Sequence, residues 1–127
     1  MPQAGTGAPR LTLVNERTGL PIATAVEKAV TRASRRRGLL GRSGLDPAAA
    51  LMLEPCAAVH TAFMRFAIDV VFLDRGGYAL KIVRDVQPWR IALASRAHAV
   101  VEMAGGSLAR CDLAVGDRLC LASTPTA

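Results

Sequence analysis

IDVVFLDRGGYALKIVRDV, residues 68–86, is the stretch on which the fold turns. Ile68 to Asp74 is rich in β-branched and aromatic residues, which favour strand. Arg75-Gly76-Gly77 is a short connection, and Tyr78 to Val86 resumes an alternating run, so the whole reads as a β-hairpin. In its second strand Tyr78, Leu80 and Ile82 share one face and Ala79, Lys81 and Val83 the other. Gln87-Pro88-Trp89-Arg90 then breaks the pairing.

Working outward, further short strands are predicted at 11–14, 21–26, 51–53, around Val59 to Arg65, at 97–104 and at 118–122. One helix is predicted within Val26 to Arg37, on the apolar positions 26, 29, 30 and 33. Gly38 ends it, with Arg35 to Arg37 in a last turn where cations offset the carbonyl end of the dipole. Asp46-Pro47 is a cap followed by an N1 proline, good for one turn. Glu54-Pro55 breaks a strand, Ser107 to Leu113 suits a helical turn, and Val115-Gly116-Asp117 is a tight turn. Many short strands and one helix predict a mainly β (α+β) single compact domain. Its form is an antiparallel β-sandwich or barrel-like sheet with one packed helix. The boundaries are a disordered tail over 1–10, the domain over 11–122 and a frayed end over 123–127.

The chain has 127 residues, enough for a core of its own, with 51% apolar and 20% charged residues. No stretch approaches the length of a membrane span. The N-terminus lacks a cationic region followed by an apolar one, which reads as a cytoplasmic chain rather than an exported one. Three cysteines, Cys56, Cys111 and Cys120, are odd in number and widely spaced. They argue against a disulfide framework and a structural zinc site. The net charge of +6 owes much to Arg32, Arg35, Arg36, Arg37 and Arg42. That run could serve a basic interaction module. Aromatic residues are not interleaved with it, so a stacking surface for single-stranded nucleic acid is not supported.

PCAAVHTAFMRFAIDVVFLD, residues 55–74, carries most of the candidate chemistry. Cys56, His60 and Met64 recur every four residues, a soft-ligand set suited to a metal such as copper. The same cysteine beside His60 is the enzymatic alternative, although no nucleophile motif or orienting acid accompanies it. Arg65 and Asp69 could pair with each other. Glu102 sits inside the apolar strand VVEMA and must face solvent or answer a cation, with Arg65 and Arg90 as candidates. The leading reading is a non-catalytic binding domain with a polar cleft for a small polar or anionic ligand or a protein partner. His60, Thr61, Met64, Arg65, Asp69, Trp89, Arg90 and Glu102 would form it. The residues leave the cofactor open, with none implied strongly.

The run His60-Thr61-x-Phe63-Met64-Arg65-x-x-Ile68-Asp69-x-x-Phe72-x-Asp74 resembles the signature of domain-of-unknown-function family 192. Arg37-Gly38-Leu39-Leu40-Gly41-Arg42 and Leu51-Met52-Leu53 precede it. Pro88, Glu102-x-Ala104-Gly105 and Gly116-Asp117 follow in the family's order. The resemblance covers about residues 11 to 121. Leu40 stands where the family usually has Met, Ala50 where it has Gly, and positions 56 and 60 are less regular. What the resemblance implies is a compact, mostly β domain of bacteria and archaea with no established activity. Many members carry a signal peptide, which implies export for those forms. The elements it shares are Thr61, Met64, the cation at 65, Asp69 and Glu102.

Overall fold

The hairpin becomes the heart of the protein because both faces of its first strand are covered. In the computed structural model, which describes residues 10–124, β6 (Ile68–Leu73) has all six side chains buried. It lies between β7 (Ala79–Val86) and β9 (Ala99–Ala104), antiparallel to each. β4 (Ala49–Leu53) follows beyond β9, and β3 (Ala25–Ala29) closes the edge, giving the order β3-β4-β9-β6-β7. The β3–β4 pair is parallel, whereas the other contacts of this sheet are antiparallel.

Alternation along these strands divides the core in two. Met52, Val71, Leu73, Val101 and Met103 point to one side. There they meet a second sheet of β10 (Leu119–Thr124), β1 (Arg10–Asn15) and β2 (Pro21–Ala23). Leu51, Leu53, Val70, Phe72 and Val100 point to the other side. Here the cover is a ribbon of β5 (Ala58–His60) and β8 (Ile91–Leu93), together with Leu39 and Met64. The described residues form a layered, mostly antiparallel β domain with one short helix among them and no closed barrel.

The helix is shorter than the sequence predicts. Val26 to Ala29 form an edge strand, because residues 25–29 find a parallel partner in residues 49–53. Helix α1 covers only Arg32–Arg37 and buries none of its residues. Thr31 and Ser34 fix its start as a reciprocal cap: the Ser34 N–H donates to Thr31 Oγ1 at 3.0 Å and the Thr31 N–H to Ser34 Oγ at 3.1 Å. Gly38 ends it as expected, at φ 49° and ψ −128°, a conformation that suits only glycine. The turn at Asp46 leads straight into β4. The expected helical turn near 107 is a 3-10 turn over Ser107–Arg110.

Asp117 is more than a turn residue. It accepts from Asn15 Nδ2 at 2.9 Å, Arg17 Nε at 2.8 Å and the Ala114 N–H at 2.9 Å. The Arg17 guanidinium is the first reason its carboxyl is held well below the usual carboxylate range. Asp117 thereby ties the end of β1 to the approach to β10. Of the tails expected over 1–10 and 123–127, residues 1–9 and 125–127 lie outside the described residues, whereas Arg10, Ser123 and Thr124 pair within β1 and β10.

Candidate functional site

Glu102 is the feature the fold does not explain. It stands in β9 between Leu51 of β4 and Val70 of β6, on the face that meets the β5–β8 ribbon. It is 4% exposed, and its Oε1 has no hydrogen-bond partner among the described residues. Burial pushes its carboxyl from 4.5 up to about 7, and Arg42 pulls weakly the other way. Arg42 itself is engaged with Glu27, at 3.2 and 3.4 Å. A buried, unpaired carboxylate in the middle of a sheet has a high desolvation cost, and perturbed groups of this kind mark candidate sites.

Above Glu102 lies a cleft of about 310 Å³. Leu39, Leu53, Val59 and Met64 give it apolar walls. Arg35, Arg36 and Arg37 line it from the end of α1. Gly38 roofs the carboxylate closely, since a Cβ at that position would lie 3.9 Å from Glu102 Oε1. The cleft therefore has one buried acid below, an aliphatic belt between, and a basic segment along one side.

Cys56, His60 and Met64 all line this same cleft. Their chemistry there is quiet. Burial raises the Cys56 thiol above its ordinary value, and its Sγ donates to the Ala58 carbonyl at 3.1 Å rather than to His60. Burial thus favours the protonated thiol over the thiolate. No cluster of three or more His, Cys, Asp or Glu that could hold a metal ion occurs among the described residues.

The other residues singled out in the sequence sit elsewhere. Asp69 lies one register step from Glu102, paired with Met103, so its side chain enters the opposite core. There it accepts from the Asp85 N–H at 2.8 Å and the Leu108 N–H at 2.9 Å, one to each oxygen. Thr61 is fully buried and joins two turns. Its N–H donates to the Arg90 carbonyl at 2.8 Å, and its carbonyl accepts from Met64 and Trp89. Its hydroxyl donates to the Gln87 carbonyl at 2.6 Å and accepts from the Arg90 N–H at 2.8 Å. Arg65, Trp89 and Arg90 are exposed and do not line the cleft. Of the eight residues proposed from sequence, His60, Met64 and Glu102 come together at this cleft. The basic run is divided: Arg42 pairs with Glu27, Arg35 donates to the Val30 carbonyl at 2.8 Å, and Arg32, Arg36 and Arg37 remain exposed.

Sequence reasoning missed Gly38, Leu39 and Leu53 as parts of the site. The available signal is the junction of the arginine run with Gly38-Leu39-Leu40, which in the sequence reads as a helix end and as a piece of the family pattern.

Comparison with known proteins agrees with this architecture. The pattern of the DUF192 family, "Uncharacterized ACR", matches residues 13–121. The chain belongs to the DUF192 family. No curated protein matches the sequence. Two crystal structures share the fold. One is of a "putative transcription regulator" from Sinorhizobium meliloti, with TM-score 0.76 and 22% identity, covering 88% of this chain and 92% of that one. The other, of a protein of unknown function from Novosphingobium aromaticivorans, has TM-score 0.76 and 21% identity, covering 94% and 97%. At such identities the likeness speaks for the DUF192 fold alone. No helix among the described residues is long and apolar enough to cross a membrane.

Proposed function

We propose that this DUF192 domain binds a small polar ligand in the cleft over Glu102. The observation that carries the reading is the unpartnered Oε1 of Glu102, buried at the floor of that cleft. A buried acceptor calls for a donor, so the ligand presents an amine, amide or hydroxyl to Glu102. Arg35, Arg36 and Arg37 favour an anionic group at its other end. Leu53, Val59 and Met64 accommodate a short apolar middle. Zwitterionic compounds of amino-acid size meet all three requirements.

A thermal-shift panel tests this, using amino acids, simple amines, simple carboxylates and divalent transition metals. Compounds with both a donor and an anionic group are expected to raise the melting temperature. Glu102→Leu abolishes the shift and Cys56→Ser leaves it intact. Loss of the response in Cys56→Ser, or a response to metals alone, would transfer the site to Cys56, His60 and Met64. Stabilisation only by polyanions, removed by neutralising Arg35 to Arg37, would make the basic run the functional surface instead.

A further inference from the structure

Two exposed aromatic rings stand on backbone that bulky residues rarely adopt. Phe63 has φ 64° and Trp89 has φ 67°, both in the left-handed region. They are 73% and 60% exposed, and their ring centroids are 4.6 Å apart in an edge contact. Strain of this kind persists only where the surroundings over-determine it. The buried Thr61 does so: its carbonyl accepts the N–H groups of Met64 and Trp89, and its hydroxyl grips Gln87 and Arg90. The fold thus holds two large apolar side chains outward, although neither contributes to the core.

The surface continues along the ribbon. Ile91 is 74% exposed and Leu93 55% exposed, and they pair across the strands with His60 and Ala58. None of these four apolar residues lines the cleft over Glu102, and their exposure sets them on the outer surface. The segments that present them, 55–68 and 86–101, contain no Asp or Glu. They carry Arg65, Arg90 and Arg96, all exposed. Phe63 and Trp89 in mutual contact, with Ile91 and Leu93 exposed on the adjoining ribbon, gather apolar side chains on one part of the surface, as interaction sites do.

Projection and charge together select the occupant. A symmetric contact with a second copy would bring two segments that carry Arg65, Arg90 and Arg96 against two more of the same sign, with no acid in them to offset the charge. An extended peptide needs a groove or a long free edge, and β8 has three residues. An anionic bilayer asks for neither. Its interfacial region accepts aromatic rings, and its phosphates accept guanidinium donors. We propose that this face docks the protein peripherally on an anionic lipid surface. Phe63, Trp89 and Ile91 enter the headgroup boundary, and Arg65 and Arg90 meet the phosphates. The proposal does not depend on the ligand reading of the Glu102 cleft.

Trp89 is the one tryptophan of the chain, so it reports on its own insertion. The full chain is mixed with vesicles of equimolar phosphatidylcholine and phosphatidylglycerol, or of phosphatidylcholine alone, at physiological ionic strength. The expected result with anionic vesicles is a blue-shifted emission and an acrylamide quenching constant lowered about threefold or more as the ring leaves water. Phosphatidylcholine alone gives a much smaller effect. Phe63→Gly accepts the positive φ, so it keeps the fold while removing the ring. It and Ile91→Ser each weaken partitioning by about tenfold. Unchanged emission and quenching with anionic vesicles overturn the proposal. Vesicle binding that leaves Trp89 fully quenchable also overturns it, by placing the contact at another basic surface. So does a lipid-independent blue shift that grows with protein concentration, which would give the face to a second copy. Protection by polyglutamate without protection by vesicles would give it to an acidic polypeptide and equally overturn the lipid assignment.

Discussion

Glu102→Gln should make the protein more stable at alkaline pH and leave it little changed near pH 4.5. Glu102 is 4% exposed and its carboxyl is raised from 4.5 to about 7, with burial as the dominant cause. Between those two values the folded chain holds a proton that the unfolded chain has released. Stability from this group is therefore complete below about 4.5, declines as pH rises through the window, and stays low above about 7. One pH unit corresponds to about 1.4 kcal/mol, so the window spans about 3 kcal/mol. For a domain of this size that is a melting-temperature difference on the order of 10 °C. The glutamine is neutral throughout and has almost the same shape. Urea unfolding of both proteins from pH 4.5 to pH 8 measures the effect. The stability of the variant minus that of the wild type should rise by about 3 kcal/mol across the range. Acid-labile contacts such as Arg17–Asp117 are common to both proteins and cancel in the difference. A difference that stays constant with pH would refute the reasoning, since it would mean that the Glu102 carboxylate is hydrated or paired when folded.

Three further outcomes follow from contacts described above. Asp69→Ala should cost about 3 kcal/mol in urea unfolding, because it leaves the N–H groups of Asp85 and Leu108 without their charged acceptor. Thr61→Val should cost about 2 kcal/mol. It should also increase amide exchange at Arg90, whose N–H now donates to the Thr61 hydroxyl. Gly77→Ala should lower the melting temperature markedly, at a cost of at least about 2 kcal/mol. Gly77 has φ 89°, and a Cβ there would lie 2.7 Å from the Leu119 carbonyl oxygen.

What could be read from sequence was mostly local. The hairpin of β6 and β7, the glycine at the end of α1 and the turn at Val115–Asp117 carry their signals within a few residues. The family signature was also legible, because it is a set of types in order. Helix and strand were confused at Val26–Ala29 for a physical reason. Those residues suit either period, and the choice is made by a parallel partner more than twenty residues away at Ala49–Leu53. β8 escaped notice because three residues are too few to show alternation, and they follow the Gln87-Pro88-Trp89-Arg90 break. The candidate site was half legible. Glu102 stood out as an acid in an apolar run, and His60 and Met64 shared a spacing. Asp69 looked like a companion to Glu102, yet the register of β6 against β9 sends the two to opposite faces. A one-residue slip would reverse that, and register is a property of the assembled sheet.

The parallel pairing of β3 with β4 has a further consequence. Parallel neighbours need a crossover, and residues 30–48 provide it, carrying Gly38 and Leu39 over Glu102 on the way. The roof of the cleft is thus also the strap of an edge strand. A compound in the cleft that touches both the 38–40 segment and Glu102 would fasten that strap to the middle of the sheet. Occupancy should then slow hydrogen exchange along β3, although no β3 residue lines the cleft. Edge-strand exchange becomes a remote gauge of whether the cleft is filled.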